Sequence, residues 1–187
     1  MSQDETLPTR RDLLALAAAA ATGSLLTGVA TAGESGPGWR KLRRVVTTEG
    51  PNGKGFVLAD GEPANSFEMN GTRITRLWES ASVPAPIPAT QDLGATAGSA
   101  YRKGFQGTSF YVAEIPGGTD ETDIPMHRQD TLDYMAVLSG RIVLRIEGAE
   151  IELGTGDTIV QNGNLHTWIN RWPETCVLLF VVVAGQR

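Results

Sequence analysis

From Ser109 nearly to the C-terminus, short apolar or alternating segments follow one another with glycine and aspartate between them. They occupy residues 109–115, 132–138, 141–146, 149–153, 158–161, 166–170 and 175–183, and the breaks fall at Gly117-Gly118, Gly140, Gly148, 154–157 and Gly163. Each segment is short for a helix and of ordinary length for a strand. In residues 141–146, Ile142, Leu144 and Ile146 alternate with Arg141, Val143 and Arg145, mostly one dry face and one wetter face. Short strands at this spacing suggest an antiparallel sandwich or barrel rather than an α/β sheet. The expected fold class is all-β: a single antiparallel β-barrel or jelly roll over residues 108–187, with extra strands from the N-terminal side.

Those extra strands are expected at residues 42–48 and 55–58, around the turn Pro51-Asn52-Gly53, and at residues 72–78. Residues 81–98, with Pro84, Pro86 and Pro88, show no usable period and read as a loop or lid. Residues 42–107 are thus strands and a loop extension, and residues 33–41 a polar linker. The first 32 residues have a different character. Thr9-Arg10-Arg11-Asp12-Leu13-Leu14 stands before a Leu/Ala-rich run at 13–26, and Ala30-Thr31-Ala32 supplies small residues two apart. This segment resembles a twin-arginine (Tat) export signal, although Leu13 stands where Phe is usual and Asp4, Glu5 and Asp12 lie in or beside its basic part. The resemblance implies cleavage before Gly33 and an exported, periplasmic protein without a membrane anchor.

The charge balance, 16 Lys and Arg against 21 Asp and Glu, gives a formal net charge of -5 and argues against nucleic acid as a partner. A single cysteine, Cys176, excludes an intrachain disulfide and reads as a small buried hydrophobe within an apolar strand. Histidine is more informative. There are only two, His127 and His166, so chemistry that needs an imidazole must use one or both.

Both histidines fall on recognisable spacings. Gly118, then Met126-His127-Arg128-Gln129-Asp130-Thr131-Leu132-Asp133-Tyr134 and Gly140, follow the pattern G-x5-H-x-H-x3-4-E-x6-G with departures. Gly156-Asp157, Gln161, Gly163, His166 and Asn170 follow G-x5-P-x-G-x2-H-x3-N with one residue fewer after Gly156. In these motifs, which span about half the chain, the sequence resembles the cupin superfamily, in particular its single-barrel, cupin-2-like small-molecule members. The resemblance implies a metal set of His127, Gln129, Asp133 and His166, holding a divalent ion such as Fe, Mn or Zn. It also implies a homodimer, with residues 42–48 and 55–58 as candidates for strand exchange. Two departures weaken such a centre: Gln129 replaces a histidine by a neutral donor, and Asp133 is one methylene shorter than glutamate. Thr131, Tyr134, Gln161 and Asn170 are available to orient ligands.

The implied function is that of an enzyme acting on a carbonyl- or hydroxyl-bearing small molecule, by resemblance an aromatic or polyketide-like one. Its chemistry is expected to be that of a lyase, isomerase or dehydratase, with His127, His166 and Asp133 as the catalytic groups. Two alternatives stand beside it: an Fe(II)-dependent oxidoreductase using His127, Asp133 and His166, and a barrel that binds a ligand without turnover. Without a metal, His166 and Asp133 would be a base and its orienting carboxylate. Asp123 and Asp130 are spare carboxylates that read as solvated loop. Trp168, Tyr134, Met126 and Met135 are expected as pocket lining or plain core, and Trp39, Trp78 and Trp172 as packing or surface residues.

Overall fold

The structure, a computed structural model, describes residues 39–95 and 105–186. The expected export signal at 1–32 and most of the linker lie outside the described residues, as does the end of the proline-rich loop.

Among the described residues every element is a strand: β1 (Arg44–Glu49), β2 (Gly55–Gly61), β3 (Asn65–Met69), β4 (Thr72–Ser80), β5 (Thr108–Ile115), β6 (Thr131–Ser139), β7 (Arg141–Ile146), β8 (Ala149–Gly154), β9 (Thr158–Asn162), β10 (His166–Ile169) and β11 (Cys176–Ala184). The larger sheet has the order β3-β4-β5-β11-β6-β9, the smaller β10-β7-β8, and β1-β2 form a separate hairpin. Every ladder is antiparallel. Beyond β10 the smaller sheet is continued by residues 118–127, through bridges Thr119↔Asn170 and His127↔His166. The result is an all-β jelly-roll barrel with extra N-terminal strands. No helix among the described residues is long and apolar enough to cross a membrane.

One core joins the two sheets. Ile74, Tyr111, Ile115, Met135, Val137, Cys176, Leu178 and Phe180 come from the larger sheet, and Ile142, Leu144, Leu153 and Trp168 from the smaller. Leu178 is fully buried at the centre of its sheet, a burial that stabilises by about 2–3 kcal/mol. Trp168 meets Phe180 edge-on at 6.1 Å, so an aromatic contact spans the gap between the layers.

Turn chemistry sets the register. The hairpin of β1 and β2 closes as Pro51-Asn52-Gly53 predicts, with Gly53 at φ 70 and its N–H donating to the Gly50 carbonyl. Strand β3 is an addition to the expected set. It pairs with β4 through Asn70-Gly71, both at positive φ (51 and 72), and Asn-Gly between Met69 and Ile74 is the signal that marks such a hairpin. Phe67 and Met69 alternate with polar residues over only five positions, too few for the period to stand out.

Candidate functional site

A cavity of about 750 Å³ opens between the two sheets. Its apolar wall includes Ile74, Tyr111, Ala113, Trp168 and Phe180, and its polar end holds His127, Gln129, Asp133 and His166. All four residues expected at the site therefore face one space.

The histidines meet through their backbones first. His127 N donates to His166 O at 2.8 Å and His166 N to His127 O at 3.0 Å, a closed antiparallel bridge. This places the rings side by side, 4.3 Å between centroids and tilted by 55°. Each ring then uses Nδ1 locally: His127 Nδ1 lies 2.9 Å from the Pro125 carbonyl and His166 Nδ1 3.0 Å from that of Asn164. A carbonyl only accepts, so each Nδ1 donates, and in the neutral ring Nε2 keeps the lone pair. Burial pushes the His166 imidazole down to about 4, with the nearby His127 adding in the same direction against the Asn164 carbonyl. His166 is neutral at physiological pH. His127 is less buried.

Asp133 enters from the other side. It lies on β6 in the larger sheet, opposite Val182 of β11 and Gln161 of β9. Burial raises its carboxyl above the ordinary range, opposed by a Thr131 hydrogen bond and the charge of His127. Its Oδ1 is buried without a hydrogen-bond partner, as are both amide atoms of Gln161 beside it. Buried polar atoms in this state are a cost unless something fills the space between them.

The donor set matches the expected metal centre in part. Two imidazoles with bare Nε2 atoms suit a divalent ion, yet no three His, Cys, Asp or Glu side chains among the described residues are placed to hold one. The histidines ride on the edge of the smaller sheet, whereas Asp133 reaches from the larger one with a shortened side chain held by Thr131. Gln129 is a neutral donor in the same cavity.

The neighbouring side chains divide between cavity and scaffold. Trp168 lines the cavity, with its ring 6.0 Å from that of His166. Met135 is core, and Tyr134 is 46% exposed on the outer face. Asn170, expected near the ligands, serves the scaffold instead: its Nδ2 donates to Ile115 O and Glu174 O, and its Oδ1 accepts from Trp172 N. Asp123 and Asp130 are both exposed; Asp123 caps its own loop by accepting from Asp120 N, and Asp130 also borders the cavity. Arg141 covers Trp172 at 4.9 Å, a surface cation–π contact. Cys176 is fully buried with its thiol pushed up to about 12, hence unreactive. The cavity wall residues Tyr111 and Phe180 carry no local sequence signal. They are cross-strand partners with stacked rings 4.7 Å apart, a pairing that requires the β5–β11 register to be known.

Residues 111–182 match the family model described as Cupin domain, Cupin_2. Similar solved structures include the Cnp3 cupin domain of Schizosaccharomyces pombe (13% identity, 77% of this chain and 88% of that one, TM-score 0.48). Another is a Cupin 2 conserved barrel domain protein of Salinispora arenicola (19% identity, 64% and 82%, TM-score 0.44). A third is a putative ethanolamine utilization protein Q of Salmonella typhimurium (11% identity, 78% and 98%, TM-score 0.43). No curated protein matches the chain. Residues 111–182 are thus similar to a cupin domain, and they lie within the antiparallel barrel of the described residues.

Proposed function

We propose that this protein is a small-molecule cupin enzyme that moves protons on a carbonyl- or hydroxyl-bearing substrate, as a lyase, isomerase or dehydratase does. The observation that carries this reading is the pair of imidazoles whose Nδ1 atoms are tied to backbone carbonyls, leaving two Nε2 lone pairs for a largely apolar cavity. His127, the less buried of the two, is the base, because a partly solvated ring tolerates the charge it gains. His166 stays neutral and orients the substrate. Asp133, biased by burial towards its protonated form, is the acid. The wall of Tyr111, Trp168 and Phe180 excludes water and holds an apolar substrate body.

Solvent exchange tests this chemistry while the natural substrate is still unidentified. In D2O the full chain should catalyse deuterium uptake next to the carbonyl of 2-hydroxyacetophenone, and His127→Ala should abolish it. Equal exchange with and without protein would remove the support for this chemistry.

A second reading, an Fe-, Mn- or Zn-dependent oxidoreductase or lyase on His127, Gln129, Asp133 and His166, is favoured by the side-by-side imidazole rings, each with its Nε2 unspent on the backbone. Elemental analysis of the wild type, His127→Ala and His166→Ala separates the two: stoichiometric metal lost from both variants would establish the metal reading. A third reading, a barrel that binds without turnover, is distinguished by ligand binding in the absence of exchange. Export through the twin-arginine segment belongs to the same proposal, with periplasmic recovery lost in Arg10→Lys/Arg11→Lys as its check.

A further inference from the structure

Beside the cavity lies a glutamine whose side chain the scaffold does not use. Gln161, on β9, is only 3% exposed, and neither its amide oxygen nor its amide nitrogen is hydrogen-bonded. Leaving both ends of a primary amide unmet in the interior is costly, and an apolar side chain of similar length would remove that cost. The second motif does not ask for an amide here either. Gln161 stands where the pattern G-x5-P-x-G has proline, so the motif does not account for the polar side chain.

The strand register does. Antiparallel pairing sets Gln161 directly across from Asp133 of β6. Residues so opposed share a face, with Cβ atoms about 4.5–5.5 Å apart, so the amide and the carboxyl project side by side. On its other flank Asp133 meets Val182 of β11, which offers no side-chain hydrogen bond. Thr131, two residues earlier on the same strand, hydrogen-bonds the carboxyl. Oδ1 is the oxygen left over, buried and unpartnered like the amide. Thr131, Asp133 and Val182 line the cavity, whereas Gln161 lies outside its wall. Any influence of the amide on a cavity ligand therefore runs through Asp133.

We infer that Gln161 is a positioning residue for Asp133: its Nε2–H donates to Oδ1 across the β6–β9 ladder and, with Thr131, fixes the direction in which the carboxyl meets a cavity ligand. The inference rests on the reading of Asp133 as a functional group of the cavity and deepens it. It does not depend on the charge of Asp133, because a carboxyl accepts through Oδ1 whether or not its other oxygen carries a hydrogen. Rotation about the side-chain torsions closes the bond, since neither Oδ1 nor Nε2 has another partner to give up.

The test uses the full chain with Gln161→Met, which keeps the length and removes the amide. Its Tm should stay within about 3 °C of the wild type, because one unmet acceptor leaves with the amide while another remains on Asp133. In deuterium exchange of 2-hydroxyacetophenone, kcat should fall about ten- to a hundredfold with KM changed by less than about twofold, since a misdirected carboxyl still admits the ligand. A second readout needs no turnover. The Gln161 side-chain NH2 signals, assigned by their loss in Gln161→Met, should exchange hydrogen at least about tenfold faster in Asp133→Ala, the equivalent of one lost hydrogen bond. A larger loss of Tm makes Gln161 scaffold, an unchanged kcat makes it idle, and amide exchange indifferent to Asp133→Ala gives it another partner. Each of these overturns the inference. If the wild type catalyses no exchange into the ketone, the proton-transfer reading fails, and the response of the Gln161 amide to Asp133→Ala decides the inference by itself.

Discussion

Asn170 offers the sharpest test of how this barrel is held together. Its side chain is fully buried and makes three hydrogen bonds to backbone: Nδ2 to Ile115 O at 3.0 Å, Nδ2 to Glu174 O at 2.8 Å, and Oδ1 from Trp172 N at 3.2 Å. It thereby ties the end of β5 to the loop between β10 and β11. Asn170→Ala strands all three partners. The Ile115 carbonyl is in buried surroundings, so its orphaning costs about 1–3 kcal/mol, and the two partly buried groups, which water can reach, cost about 0.5–1.5 kcal/mol each. Roughly 4 kcal/mol is expected in total, a fall in Tm of about 10 °C for a domain of this size. Urea unfolding followed by tryptophan fluorescence measures it directly. Asn170→Asp separates hydrogen bonding from shape. It keeps the acceptor for Trp172 N but sets an ionised oxygen against two carbonyl oxygens, so it should be at least as unstable as the alanine variant. A loss below about 1 kcal/mol in Asn170→Ala, or an aspartate variant as stable as the wild type, would refute the assignment of Asn170 to the scaffold.

Other expectations concern backbone, protonation and assembly. Gly140 and Gly118 both have positive φ (81 and 78), but a Cβ at Gly140 would lie 2.9 Å from the Thr175 carbonyl oxygen, whereas at Gly118 it would meet nothing within 4 Å. Gly118→Ala should cost about 1–2 kcal/mol for backbone strain alone and Gly140→Ala clearly more, as read by Tm. Because the His166 imidazole is lowered from 6.5 to about 4 on folding, the unfolded chain binds the extra proton between those values. Its contribution, on the order of 3 kcal/mol, is complete above pH 6.5 and lost as pH falls through about 4. Asp133, raised on folding, runs the other way, its contribution fading as pH rises. A His166→Gln variant should therefore show a flatter stability profile between pH 6.5 and 4, and an unchanged slope would count against a buried neutral ring. The homodimer proposed from the family resemblance has a candidate surface in the row Phe110, Val181, Tyr134 and Val160. These residues are in register across β5, β11, β6 and β9, with Tyr134 and Val160 46% and 65% exposed. Light scattering after size exclusion should give twice the monomer mass, and Tyr134→Lys/Val160→Lys should shift it to monomer.

Local sequence was enough to determine the strands from residue 108 onward and the turn at Pro51-Asn52-Gly53, while the grouping of His127, Gln129, Asp133 and His166 at one site was implied by the family resemblance of their motifs. Those features depend on period, turn chemistry and motif spacing, all of which act over a few residues. Asn170 and Tyr134 show where that reach ended. Alternation says which residues share a face, but not which face turns inward, so Tyr134 was a candidate pocket residue until β11 and β9 covered its neighbours. The packing of two sheets, not local sequence, decided that Asp133 approaches the histidines from the opposite layer. The tautomers, too, were tertiary. The bridge between His127 and His166 sets the Pro125 and Asn164 carbonyls within reach of the two Nδ1 atoms, and that contact leaves each Nε2 with its lone pair.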